Sequence, residues 1–338
     1  MNTRIAVICA AVLILHDGAE AQSIRNAGSA GAQFLKIGVG ARAMGMGGAF
    51  GTVAAGAEAL AWNPAGIGAV DKLEVSAQHT AWVAEINHSF IGAVLPVSDQ
   101  VNLGFHTIFL TSGDIEITTI DQPEGTGRFF DVADIAVGLT ASVRLTSQLT
   151  VAGTVKYVEE RIYDVKGGTV ALDAGTWYDT GLKSLRLGFA VSQIGFDHDY
   201  SGRSLEVRYL PPGGIQDPTR SELQTARNAL PLTFRASGCA DLLTLVDEPD
   251  PAHRALIALD FIQHSDTPER FAAGMEYTWE QTLSLRGGYL FNADELGWNA
   301  GAGVHLDASE VRLSADYAVS GLGRFGIGHR FGLTIGAR

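Results

Sequence analysis

The feature that most constrains this chain is a period-two alternation of apolar with small or polar residues, repeated over most of its length after residue 70. In the final stretch GRFGIGHRFGLTIGAR, one face carries Phe325, Ile327, His329, Phe331, Leu333 and Ile335, and the other Gly326, Gly328, Arg330, Gly332, Thr334 and Gly336. The segment before it sets Val311, Leu313, Ala315, Tyr317 and Val319 against Arg312, Ser314, Asp316 and Ser320. Further upstream, Trp298, Ala300, Ala302 and Val304 oppose Asn299, Gly301, Gly303 and His305, and Phe271, Ala273, Met275 and Tyr277 oppose Glu276 and Glu280. Side chains of a strand point alternately to its two faces, so each segment reads as a strand that is greasy on one side only.

The pattern predicts strands near 72–82, 88–97, 100–111, 131–145, 148–160, 168–178, 184–194, 230–239, 253–263, 270–280, 282–292, 297–306, 309–319 and 323–337, about fourteen of roughly the length that tilted membrane strands need. Alternate junctions are tight, at Ser98-Asp99, Thr146-Ser147, Glu280-Gln281 and Asp307-Ala308, whereas 112–130 and 195–229 are long. The acidic 240–251 connection is the exception on the tight side. A soluble β-sandwich also alternates. Even parity and one-sided long loops favour an all-β fold: a transmembrane antiparallel β-barrel with both termini on the periplasmic side. Trp177, Tyr178, Tyr277, Trp279 and Tyr289 stand near strand ends, where interfacial girdles form.

The N-terminus supports export. Arg4 precedes the apolar run Ile5–Leu15, which is too short to span a bilayer, and Ala19-Glu20-Ala21 is a cleavage-type site, so 1–21 reads as a signal peptide. Cys9 falls within it, which leaves Cys239 alone and excludes an internal disulfide. A formal charge of −13, with no basic cluster, argues against a nucleic-acid partner.

Between signal and strands, residues 28–70 lose the alternation and crowd glycine with alanine, as in GARAMGMGGAFGTVAAGAEALAWNPAGIG. Small residues let backbones pack closely, and a barrel of this size leaves a lumen to fill. The stretch reads as an N-terminal Gly/Ala-rich plug, or hatch, with a flexible periplasmic tail as the alternative. Asn63-Pro64, followed by Gly66 and Gly68, would turn the chain into the wall. The expected organisation is signal peptide 1–21, plug 22–70 and barrel 71–338.

FLKIGVGARAMGMGGAFGTVA followed by AWNPAGIG resembles the N-terminal signature of the PorV/PorQ family, a branch of the FadL-like outer-membrane proteins. Gly40, Arg42, Ala43, Gly45, Met46, Gly47 and Ala49 match its glycine-rich segment, and Trp62, Asn63, Pro64, Ala65 and Gly66 its Asn-Pro-Ala-Gly element. The chain departs from it at Ala55-Gly56-Ala57-Glu58, where only Glu58 is acidic, and at Ile335–Arg338, which lacks a terminal aromatic residue. The resemblance implies a fourteen-stranded outer-membrane barrel with a hatch, embedded in outer-membrane lipid and serving type IX-like protein secretion by binding exported cargo or secretion-system proteins. Resemblance to the wider FadL-like group implies instead passive transport of hydrophobic small molecules. Arg42, Gly45, Gly47, Trp62, Asn63, Pro64, Ala65 and Gly66 are the binding or gating residues it implies.

No chemistry of catalysis stands out. Gly321…Gly326 fits G-x-G-x-x-G but lacks room for a following helix, so a glycine-rich hairpin is expected. Asp197-His198-Asp199 offers metal-ligand types in a long loop, where solvated surface is the expectation. The remaining histidines show no metal spacing, His329 reads as an interfacial residue, and no G-x-S-x-G elbow exists for an esterase. The expectation is a non-enzyme without cofactor or metal, in which Arg144, Glu276, Arg286, Arg312, Asp316 and Arg330 face the lumen and brace the plug.

Overall fold

The computed structural model of the chain describes residues 28–209, 219–246, 250 and 252–337, so the expected signal peptide lies outside the described residues. Its wall is built of β1 Glu74–Ala81, β2 Asn87–Pro96, β3 Val101–Thr111, β4 Val132–Arg144, β5 Leu149–Ile162, β6 Val165–Asp179 and β7 Arg186–Gly195. It continues with β8 Thr233–Asp241, β9 His253–His264, β10 Arg270–Trp279, β11 Leu283–Phe291, β12 Trp298–Ala308, β13 Val311–Gly321 and β14 Ile327–Ala337. Each strand pairs antiparallel with the next in sequence, and β1 pairs with β14 in register Glu74↔Gly336 through Ala81↔His329. The fourteen strands thus close a barrel without a free edge. The ladder is irregular between Leu172 and Ala174, where the Asp173 carboxylate accepts a hydrogen bond from the backbone N–H of Gln193 (2.8 Å).

The alternation maps onto the two faces as the pattern requires. Leu103, Phe105, Leu139, Val155, Leu259, Met275, Leu285 and Phe331 are exposed on the outside, while Asn102, Thr140, Thr154, Lys156, Asp260, Glu276, Arg286 and Arg330 are buried on the inside. An apolar exterior of this kind matches hydrocarbon, with every wall N–H and C=O paired along the ladders.

One end of the barrel carries the start of β1, the end of β14 and the β2–β3, β4–β5, β10–β11 and β12–β13 turns; we call it the turn end. The opposite, loop end carries residues 112–131 and 196–232, which hold short hairpins pairing Ile115–Glu116 with Phe129–Phe130 and Glu206–Tyr209 with Thr219–Glu222. Two connections differ from expectation. The β5–β6 ladder runs on to Ile162↔Val165, leaving only Tyr163 and Asp164 as a tight turn at the loop end. The last strand begins at Ile327, because Gly323–Phe325 forms a 3-10 turn that joins β13 to β14 as a hairpin.

Residues 28–70 run inside the wall. They form 3-10 turns at Gln33–Lys36, Ala57–Ala61 and Pro64–Ala69 and one short helix, α1, at Ala41–Gly45. Phe34, Met46, Phe50, Ala57, Leu60 and Ile67 are buried here. The segment passes from Gly31, bonded to Ala229 near the loop end, to Ala57, bonded to Glu74 at the turn end. This corrects the expectation that parity alone places both termini on one side: the strands obey it, but the described chain begins at the opposite mouth because its first part threads the lumen.

At the turn end, the unexpectedly long connection after β8 starts with α2 at Leu242–Leu245. The Asp241 carboxylate accepts from the N–H groups of Leu243 and Thr244 and so caps it.

Candidate functional site

The inner segment is seated by inward side chains of the wall. The Arg42 guanidinium meets Glu276 of β10 through two hydrogen bonds (2.8 and 2.7 Å). Arg286 of β11 donates to the same carboxylate (2.6 Å) and, through Nη1, to Asp316 of β13 (2.6 Å). Two cations and two anions therefore balance in a buried chain, a geometry in which removal of one member strands a charge. Asp260 of β9 accepts from the backbone N–H groups of Phe50 (3.1 Å) and Gly51 (2.9 Å) and from Arg235 of β8 (2.7 Å). Asn102 donates to Ile67 and Val70 carbonyls (both 2.7 Å), Arg144 to Gly68 (2.7 Å) and Gln78 to Glu58 (2.7 Å).

The loop-end half is tied separately. Lys36 and Gln33 donate to Asp266 in the β9–β10 turn (2.8 Å each to Oδ2). Burial alone would raise the Asp266 carboxyl, but these hydrogen bonds and the Lys36 charge outweigh it and hold it below its usual value. Glu160 accepts from Ala32 N–H (2.8 Å), Tyr200 Oη (2.7 Å) and pairs with His198 Nε2 (3.1 Å). Burial and the Glu160 contact raise the Tyr200 phenol above its ordinary value.

The residues singled out from the motif all lie in this segment. Gly45 faces Gly301 and Arg286, with 3.2 Å between a built Cβ and the Gly301 Cα. Gly47 has φ +68°, and a Cβ there would stand 2.6 Å from the Tyr289 backbone nitrogen, so two main chains touch where no side chain fits. A Cβ on Gly66 would lie 2.1 Å from the Ala54 carbonyl oxygen. The Asn63 amide donates to the carbonyls of Gly51 (3.1 Å) and Thr176 (3.0 Å), and its oxygen accepts from Ala65 N–H (3.2 Å), capping the turn that Pro64 opens. Ala65 is fully buried. Trp62 donates from Nε1 to the Val39 carbonyl (2.9 Å).

Two hollows flank the segment. The upper one, towards the loop end, is a cavity of about 240 Å³. Leu35, Ile37, Val39, Met44, Leu60 and Trp62 of the segment line it, with Trp82, Ile108, Ile262 and Leu290 opposite. Lys156, Asp173, Arg235, His264 and Arg330 are its charged and polar lining. The lower one, about 1060 Å³, opens at the turn end and is lined by Arg42, Glu58, Glu74, Glu276, His305 and Arg312 among others. Between them stands a stack: the Arg42 guanidinium lies over the Phe50 ring (5.6 Å), Phe50 meets Trp62 edge-on (5.8 Å, 71°), and Arg235 covers Trp62 (4.8 Å).

The inward charges expected from alternation divide. Arg144, Glu276, Arg286 and Asp316 contact the inner segment or the network that holds it. Arg312 instead pairs with Asp307 at the exposed rim (3.2 Å), and Arg330 lines the upper cavity. Asp260, Glu160, Asn102, Gln78 and Asp266 were not singled out from sequence; only their polar character at inward or turn positions marks them. Two expectations are corrected. Trp177 faces inward and donates to the Thr52 carbonyl (3.2 Å), because it shares the face of Asp173 and Gly175. His198 is buried against Glu160 rather than solvated, since the long loop folds over the mouth; Asp197 and Asp199 beside it are exposed. Among the described residues, no cluster of three or more His, Cys, Asp or Glu could hold a metal ion.

No family model and no curated protein matches the sequence. Solved structures do match in fold. The Pseudomonas putida toluene transporter TodX has a TM-score of 0.55 at 12% identity, covering 87% of this chain and 96% of that one. The Ralstonia pickettii toluene transporter TbuX has a TM-score of 0.53 at 13% identity (89% and 97%). A Pseudomonas aeruginosa FadL homologue has a TM-score of 0.53 at 12% identity (88% and 97%). At these identities the likeness is one of fold, and the fold of this chain is that of the FadL-like barrels.

Proposed function

We propose that this chain is a non-catalytic outer-membrane channel through which small, largely apolar molecules pass from the loop end to the turn end, past the inner segment. The observation that carries the reading is the upper cavity, apolar over most of its lining, enclosed within a closed barrel and separated from a polar, open hollow by one aromatic stack. An apolar pocket with a few placed polar groups suits transient binding of a small solute. The fold is shared with barrels described as toluene transporters, which is consistent with this class of cargo. The inner segment acts as the barrier, with Trp62 and Phe50 at its narrowest level.

The PorV/PorQ resemblance carries a second reading, in which the barrel assists type IX-like secretion; its support is the motif from Gly40 to Gly66. A deletion strain separates the two. Slower uptake of, or lost growth on, a hydrophobic solute with unchanged protein release is the expected result. Unimpaired uptake with retained cargo inside the cell would overturn the channel reading in favour of secretion.

A further inference from the structure

Most cations that line the upper cavity are matched by acids. Lys36 pairs with Asp266, Lys156 with Asp173 and Arg235 with Asp260 (2.8, 2.8 and 2.7 Å). Arg330 of β14 is not. It is fully buried, only its Nη1 finds a partner, the Ser320 hydroxyl, and its Nε and Nη2 have no hydrogen-bond acceptor. One face of the guanidinium is covered by the Trp82 ring (5.2 Å). A buried guanidinium with two open donors is costly unless something accepts from them, and those donors belong to a side chain that lines a cavity.

We infer that the upper cavity takes a small molecule that joins an apolar single-ring or short-chain body to one carboxylate, anchored on the free Nε and Nη2 of Arg330. The planar fork of a guanidinium matches two carboxylate oxygens, and its charge strengthens both bonds. Trp82 fixes the plane of the fork, and the apolar lining receives the body of the ligand. The volume of about 240 Å³ lies below the range of roughly 300–1,000 Å³ usual for drug-sized ligands, which keeps that body small. A neutral hydrocarbon of the same shape leaves the guanidinium unsatisfied, and an ammonium is repelled. The inference rests on the channel reading above and narrows its cargo.

The test is calorimetric titration of the detergent-purified full chain with benzoate, toluene and benzylamine, three probes that share a ring and differ in charge. Benzoate is expected to bind at least about tenfold more tightly than toluene, in line with charge-assisted hydrogen bonds in a dry site, and benzylamine not at all. Arg330→Gln should abolish the preference for benzoate while leaving toluene unchanged, and Arg330→Lys should restore part of it. Toluene binding as tightly as benzoate, or benzoate binding unchanged in Arg330→Gln, overturns the inference while leaving a channel for apolar solutes intact. Failure of all three probes to bind, with no solute flux into proteoliposomes, overturns the channel reading and the inference with it. The ranking in the unmodified protein decides the matter even if Arg330→Gln does not assemble.

Discussion

At the residue scale, the seat of the inner segment depends on a few contacts that leave no slack. Gly47→Ala puts a Cβ against the Tyr289 backbone in a conformation unfavourable to any L side chain, and the wall cannot retreat without breaking its ladder. It should loosen the segment by about 1–3 kcal/mol, read as increased protease accessibility of residues 28–70 in folded barrels. Glu276→Gln leaves Arg42 and Arg286 with one anion between them, and a cost of about 3–5 kcal/mol is expected for such a broken buried network, measured by the temperature at which gel migration shifts. Asp266 supplies a pH dependence. Its carboxyl lies lower in the folded chain than in the unfolded one, so its contribution is fully present above the ordinary carboxylate value and is lost only as pH falls through the depressed one. Labelling of a cysteine placed at Gln33 should therefore stay slow from neutral pH down past pH 4 and accelerate only in stronger acid; in Asp266→Asn it should be fast throughout.

At the element scale, the inner segment and the wall are separable. Wall strands satisfy their backbone groups among themselves, whereas the segment depends on side chains such as Asn63, Asp260 and Asn102 for its carbonyls and N–H groups. Replacing Asn63 by Ala removes a turn cap and strands two carbonyls, a loss on the order of 1–3 kcal/mol confined to the segment. Planar-bilayer conductance should rise while assembly, followed by gel mobility, stays normal. Trp62→Ala should raise solute flux further, because it opens the stack between the two hollows; unchanged flux in both variants would show that the barrier lies elsewhere.

At the scale of the whole molecule, the chain enters at one mouth and its strands begin at the other. In cells, a cysteine at Gly28 should label from outside with an impermeant reagent, and one at Ser147, in the β4–β5 turn, only after the outer membrane is permeabilised. Cys239 is buried and should stay silent in both experiments. Equal labelling of both sites in intact cells would contradict the threaded path. Fractionation with the outer membrane and heat-modifiable migration are expected of a closed barrel; recovery as a soluble protein without detergent would exclude it.

Strand positions, face assignment and barrel closure were legible in the sequence, because a strand that meets lipid on one side and a lumen on the other must write its period into every second residue. The inward direction of Glu276, Arg286 and Asp316 followed from the same parity. Which of these charges would meet Arg42, and that Arg330 would be left without an acid, did not follow. Parity names a face but not a partner across the lumen, and those partners are separated by up to 234 residues of chain. The path of residues 28–70 from the loop end to the turn end was hidden for the same reason: a segment without period holds its place through contacts with many strands, and only the closed wall brings those strands together.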